Sequence, residues 1–227
     1  MDTAEILIPL WISFKLSLVT TLILLILGSC LAYFMVYRRV PARSLVEAFV
    51  NLPMVLPPTV LGFYLLVLMG PKGSMGRAWD SVFGSSLLFS FTGIVIASVI
   101  YSLPFAVQPL KAAFAKIDRR ILENAYVLGL SPLKTFFRVI IPNSRAGFTA
   151  AGILVFLHTM GEFGVILMVG GSMPGETKVA SIAIYEAVES LRYRDAWILS
   201  LILAGLSFIF LIITNNLNKG ADDGLTG

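Results

Sequence analysis

Four stretches of the chain run for more than twenty residues without a charged side chain: Leu16 to Tyr37, Ala48 to Gly70, Ser81 to Leu110, and Ala196 to Asn218. An α-helix rises 1.5 Å per residue, so about 20 apolar residues cross the roughly 30 Å hydrocarbon layer of a bilayer. In that layer no water reaches the backbone, and a crossing segment has to satisfy its own N–H and C=O groups, which a helix does. A fifth run, from Ala146, is uncharged for 16 residues, meets Glu162, and continues uncharged from Phe163 to Gly175. The expectation is an all-α integral membrane protein of five transmembrane helices, with spans near 12–37, 47–70, 84–112, 144–168 and 195–218.

Composition supports lipid as the solvent. Of 227 residues, 57% are hydrophobic and 13% charged, with a mean hydropathy of +0.89, whereas soluble domains hold about 45–50% apolar residues. No polar stretch is long enough for a second domain, so residues 1–227 read as one membrane domain. The net charge of +4 and the pI near 9.3 do not indicate nucleic acid, because the cations are scattered between apolar runs rather than gathered on one face. Topology accounts for them instead. With the N-terminus outside, the inner segments carry Arg38, Arg39, Arg43, Lys111, Lys116, Arg119, Arg120, Lys134, Arg138, Arg145 and Lys219, while the outer loops carry Lys72, Arg77, Lys178, Arg192 and Arg194. That bias places the C-terminus in the cytoplasm. The single cysteine, Cys30, has no partner for an internal disulfide, and no zinc-type spacing is present. The polar tail from Lys219 to Gly227 reads as a frayed end.

The inner loop from Lys116 to Arg145 has a helical grammar of its own. Asp118 can cap a helix from Arg119 to Leu128, which Gly129 can end in the left-handed conformation. Ser131 can cap a second helix with Pro132 at its first position, where a missing N–H costs nothing. Leu133, Phe136, Phe137 and Ile140 recur at spacings of three and four and predict one apolar face, with Lys134 and Arg138 on another. Pro142 stops this helix, and Asn143 or Ser144 caps the next. Such a helix either lies on the membrane surface, rings in the acyl boundary and cations toward headgroups, or docks a soluble partner.

The run Glu123-Asn124-Ala125, then Gly129, then Pro142 resembles the signature cytoplasmic loop of ABC importer permeases, which carries Glu-Ala-Ala, a Gly four residues later and a Pro further on; Asn124 departs from it in the middle position. Leu52-Pro53-Met54-Val55-Leu56-Pro57-Pro58-Thr59-Val60-Leu61-Gly62 resembles the second span of molybdate permeases, and Gly161-Glu162-Phe163-Gly164 followed by Pro174-Gly175-Glu176-Thr177 the region after their fourth. The resemblance implies a type I ABC importer permease fold in a bacterial or archaeal plasma membrane. It implies cargo of the oxyanion class: molybdate, with tungstate or sulfate as alternatives. It also implies a homodimer, two copies of a cytoplasmic ABC ATPase and an extracytoplasmic oxyanion-binding protein. By the same resemblance Pro132 to Ile141 would be a coupling helix in an ATPase cleft, with Glu123, Ala125, Gly129, Ser131, Leu133, Phe136, Phe137, Arg138 and Pro142 as the ATPase-coupling set.

The chain has no Gly-x-x-x-x-Gly-Lys-Ser/Thr loop to cradle ATP. It is thus expected to be no enzyme and to bind no cofactor or metal, with ATP and Mg on the partner ATPase. An ion-coupled secondary transporter would need coupling carboxylates near the midplane and recognisable repeats. An intramembrane enzyme would need a nucleophile with an oriented base, or a metal cluster.

Residues that lipid tolerates poorly mark the candidate path. Pro57 and Pro58 free carbonyls that must be buried in protein or face water, unless they simply kink the helix. Thr59, Ser98, Ser102 and Thr159 are candidate lining donors or packing residues. Glu162 is a costly ionisable group inside a span, read as structural or gating because a carboxylate repels an oxyanion. Counted at helical pitch from Arg145 it stands about 25 Å up, near the outer interface. Gly161 and Gly164 permit a helix break around it. His158, four residues earlier, could pack against Glu162 through a hydrogen bond or, less simply, share a metal or proton with it.

Overall fold

The computed structural model describes residues 3–38 and 41–223, with side chains from 5 to 212. Every regular element among them is helical. The Arg39 of the inner cation set lies outside the described residues.

Helix α1 (Thr3–Tyr37) is 35 residues long, about 52 Å at helical pitch. Its buried stripe, Ile12, Leu16, Thr20, Leu24, Gly28 and Ala32, repeats every four residues, which is the ridge spacing that packs one helix against others. It meets α5 (Phe91–Ala115) and α9 (Arg145–Met160), and these three form the core. In lipid, helices gain little by hiding apolar surface from one another, so close packing of small residues holds them. A Cβ on Gly28 would stand 2.9 Å from Ala106 Cβ, and one on Gly147 would stand 2.3 Å from Ala113 Cβ. Glycine is required at both positions by the neighbouring helix.

Among the described residues, three helices are long and apolar enough to cross a membrane alone: Glu5–Tyr37, Phe91–Ala115 and Tyr193–Ile212. Elsewhere the expected spans are broken. The run at 47–70 is two helices, α2 (Arg43–Val55) and α3 (Pro58–Met69), meeting at 111°. The cause is local, because a residue before proline prefers extended backbone; Leu56 has φ −73° and ψ 137°, and Pro57 then N-caps α3. Helix α2 lies on the C-terminal half of α5, where Lys111 pairs with Glu47 at 2.8 Å and Gln108 donates to Asn51. Helix α3 lies on the N-terminal half, in a cluster of Leu61, Leu65 and Met69 with Leu87, Leu88 and Ala97.

The third span begins at Phe91 rather than at residue 84. Ser90 caps it by accepting from the Gly93 N–H at 3.1 Å, and the chain before it forms the short amphipathic α4 (Ser74–Phe83) and a loop. After α5 come the inner-loop elements: α6 (Arg119–Val127), α7 (Pro132–Thr135), a π-helical turn (Phe136–Ile140) and α8 (Ile141–Asn143). The run expected as the fourth span is α9, a break, and α10 (Gly164–Gly170) packed on α3. Helix α11 (Ala180–Glu189) is capped from α1, since Ser13 Oγ accepts the Ala180 N–H at 2.8 Å. Helix α12 (Tyr193–Asp223) is mostly uncovered and presents Trp197, Leu201, Phe208 and Ile209 outward. It continues to Asp223, so the tail from Lys219 is helical over its first part; residues 224–227 lie outside the described residues.

Gly147→Ala should force α9 off α5 and cost about 1–3 kcal/mol, the usual range for overpacking. Gly205→Ala, where nothing lies within 4 Å, should leave stability unchanged. Thermal midpoints of the two purified variants check this pair, and equal midpoints would show that α5 and α9 do not touch at that level.

Candidate functional site

The inner loop is built as its capping residues dictate. Asp118 accepts from the Arg120 N–H at 2.9 Å and starts α6. Gly129, at φ +79°, ends it in a Schellman arrangement: Gly129 N–H donates to Tyr126 O and Leu130 N–H to Ala125 O. No atom lies within 4 Å of a Cβ built on Gly129, so conformation alone demands glycine there. Ser131 caps the next helix through the Lys134 N–H at 3.4 Å, with Pro132 at its first position. Glu123 is exposed and pairs with Arg119 at 3.3 Å, whereas Ala125 is buried. Ser144 stands at the start of α9, but its side chain caps nothing.

The second helix departs from the regular one expected over Pro132 to Ile141. Its middle is a π-turn, in which the Ile141 N–H reaches back to Phe136 O. A proline at 142 clashes in a regular helix with the carbonyl of Arg138, and the wide turn lies just ahead of that conflict. The expected single apolar face is divided between its two i,i+4 rows. Phe136 turns inward, edge-on to Tyr33 at 5.5 Å and to Phe114 at 6.3 Å, and Ile140 is 1% exposed beneath it. Leu133 and Phe137 turn outward, 69% and 59% exposed, beside exposed Lys134 and Arg138. Val127 and Leu128 at the end of α6 are likewise exposed. These two were missed in the sequence because they flank the glycine turn rather than fall on a helical stripe.

A second site lies where the two helix breaks face each other. A cavity of about 400 Å³ is lined by Pro58 and Thr59 from the first break, Gly161 to Gly164 from the second, and Tyr101 and His158 between them. Pro57, one residue short of the lining, sets the turn that brings Pro58 there. The two breaks are in contact: a Cβ on Gly164 would stand 3.0 Å from Pro58 Cβ, and one on Gly62 would stand 2.8 Å from Met168 Cβ. Gly161 has room for a side chain, with its nearest neighbour at 3.8 Å, so close approach explains only Gly164.

Glu162 is 4% exposed, and neither carboxyl oxygen has a hydrogen-bond partner. Its backbone carbonyl accepts from Ser181 Oγ at 2.6 Å. Tyr101 of the same cavity stands about 15 Å from the start of α5 and about 21 Å from its end at helical pitch, so the cavity lies near mid-depth of that helix. His158 does not pair with Glu162. Its Nδ1 meets Ser102 Oγ at 2.9 Å, Ser102 Oγ meets Thr159 Oγ1 at 3.1 Å, and the ring is stacked on Phe105 at 4.1 Å. Among the described residues no group of three or more His, Cys, Asp or Glu side chains is placed to hold a metal ion. Tyr101 went unnoticed in the sequence, although its spacing from Ser98 and Ser102 put it on their helix face.

Comparison with known proteins agrees with this architecture. Residues 8–223 match the family described as binding-protein-dependent transport system inner membrane component. The molybdenum transport system permease protein ModB of Azotobacter vinelandii is 45% identical over 205 residues, covering 89% of this chain and 88% of that one. The sulfate transport system permease protein CysT of Synechocystis is 30% identical, covering 92% and 72%. A bacterial ABC transporter involved in the import of the acidic polysaccharide alginate has a chain of the same fold, with a TM-score of 0.78 at 16% identity over 95% of this chain and 79% of that one.

The split face of the inner loop separates two phenylalanines adjacent in sequence. Phe136→Ala should lower the stability of the purified chain by about 2 kcal/mol or more, since it removes ring packing against α1 and α5. Phe137→Ala should leave the thermal midpoint within about 0.5 kcal/mol of the parent, as surface changes do.

Proposed function

The chain belongs to the family of binding-protein-dependent transport system inner membrane components, and from that premise we propose that it is the permease subunit of an ATP-driven importer of molybdate. The observation that carries the reading is the 45% identity to a molybdenum permease over nearly the whole of both chains. It sits in the inner membrane and is a translocation subunit. The sulfate alternative rests on a more distant likeness.

The geometry supports a working arrangement. Leu133 and Phe137, with Val127 and Leu128 near them, offer exposed apolar anchors flanked by Lys134 and Arg138. That surface suits a soluble ATPase, which brings its own ATP and Mg. The cation bias supports an orientation with the N-terminus outside and this loop in the cytoplasm; five spans follow if α2 with α3 forms one bent span and α9 with the elements bent against it another. Two copies of the chain meet, and their cavities flank one path fed by an extracytoplasmic oxyanion-binding protein. Cyclic pairs are the commonest assemblies, and a single copy has few polar groups for a channel of its own.

Uptake into proteoliposomes holding the chain, its ATPase and its binding protein tests the function: molybdate should enter only with ATP inside the ATPase compartment, and tungstate should compete better than sulfate. Stronger competition by sulfate would transfer the assignment to sulfate. In the same system, Leu133→Ala with Phe137→Ala removes anchors worth about 2 kcal/mol each at an interface hot spot. The ATPase should then fail to co-purify, while the membrane chain stays folded; full retention with full transport would refute the docking role. For topology, a reagent unable to cross the membrane should label a cysteine at Ser74 from outside and one at Ser131 only from inside.

A further inference from the structure

The inner loop does not close fully on the helices it joins. Helix α6 is held chiefly by α7 and the π-turn rather than by α1 or α5, and a cavity of about 540 Å³ remains between it and the C-terminal ends of those two helices. Ligand sites usually measure about 300–1,000 Å³. Tyr33, Tyr37 and Phe114 line the cavity and are fixed with Phe136 in a closed circuit of rings. Tyr33 to Tyr37 is 5.4 Å, Tyr37 to Phe114 is 6.4 Å, Phe114 to Phe136 is 6.3 Å and Phe136 to Tyr33 is 5.5 Å. Leu122 and Tyr126 line it from α6, and so do Arg119 and Glu123, which are exposed and paired at 3.3 Å. A wall that is mainly aromatic and aliphatic, with charge only on its exposed side, suits an amphipathic occupant.

Depth decides which one. On α1, Trp11 and Lys15 are exposed, and the Lys15 ammonium stands 4.2 Å over the ring of Phe91 at the start of α5. Side chains of these types anchor a helix at a membrane boundary. Tyr33 follows Lys15 by 18 residues, about 27 Å at helical pitch, close to the roughly 30 Å of a hydrocarbon layer. The cavity therefore lies at headgroup level in the leaflet on the loop's side, and exposed Phe34 adjoins Tyr33 at 5.8 Å on its wall. Charge selects the headgroup. The end of α1 and the turn from α5 into α6 carry Arg38, Lys116, Arg119 and Arg120 against Asp118 and Glu123, and Arg38 is within electrostatic reach of Tyr126. Basic pockets beside transmembrane helix ends hold anionic headgroups in this way. Leu133, Phe137, Val127 and Leu128, the anchors offered to the ATPase, are absent from the lining.

We propose that this cavity seats one anionic phospholipid of that leaflet, with an acyl chain against the rings and the phosphate beside Arg119. Such a lipid fills the gap between loop and core, and so passes to α1 and α5 a movement that the loop receives. The seat is independent of the cargo and of the identity of the ATPase.

The test is intact-complex mass spectrometry of the delipidated chain, alone and with its ATPase, titrated with phosphatidylglycerol or phosphatidylcholine. The parent alone should bind one phosphatidylglycerol per chain more tightly than phosphatidylcholine. Arg119→Glu reverses one exposed charge and should weaken the phosphatidylglycerol about tenfold, with little effect on phosphatidylcholine. Val36→Trp fills the cavity and should abolish the tight site for both lipids, while the ATPase still co-purifies. Should Val36→Trp fail to fold, Arg119→Glu decides alone, because its side chain is exposed. Equal phosphatidylglycerol affinity in the parent and Arg119→Glu, or an undiminished site in folded Val36→Trp, would each overturn the seat. A parent that binds no lipid there, together with a Val36→Trp chain that loses its ATPase, would give the cavity to a side chain of the ATPase and overturn it as well.

Discussion

Backbone hydrogen bonding in the absence of water governs this molecule. A chain in hydrocarbon has to remain helical unless the freed N–H and C=O groups are buried in protein or meet a water-filled space. The two interruptions, at Leu56–Pro57 and at Gly161–Phe163, therefore cannot be scattered over the surface. They lie against each other, with Gly164 on Pro58 and Gly62 on Met168, and the cavity between them is where the irregular backbone is tolerated. Each break shelters the other.

Packing then follows from small residues rather than large ones. Gly28 on Ala106 and Gly147 on Ala113 bring α1 and α9 close to α5, so that dispersion along the helices substitutes for the hydrophobic effect. The polar side chains that remain inside are spent locally. Ser17 and Thr21 hydroxyls return to carbonyls one turn earlier, Ser13 caps α11, and Ser102 and Thr159 orient His158. The Glu162 carboxyl and the Thr20 and Ser98 hydroxyls are exceptions, buried without a partner.

The apolar runs announced a helical membrane protein, and the caps of the inner loop were readable residue by residue: Asp118, Gly129, Ser131 and Pro132 all occupy the positions their chemistry dictates. Two things were not readable. The company of Glu162 was one, because counting residues from Arg145 does not say which residues of α5 it meets. Facing was the other: the stripe Leu133, Phe136, Phe137 and Ile140 consists of two adjacent i,i+4 rows, and only the contacts with Tyr33 and Phe114 decide that the Phe136 row is the one buried. The resemblance to importer permeases located the loop and the Gly161–Gly164 segment, but the meeting of Glu162 with Tyr101 depends on tertiary packing that no linear pattern records.

The same division of the loop helix has a mechanical side. Its inner ring, Phe136, is wedged against Tyr33 of α1 and Phe114 of α5, near the C-terminal ends of the two long helices of the core. A displacement applied to the outer side chains would thus reach the inner ends of two long helices directly, and α5 carries Pro104 and Pro109 just above that contact. Force entering at Phe137 would travel along α5 through Pro104 and Pro109 toward the level of Tyr101, where this helix passes the two breaks around Glu162.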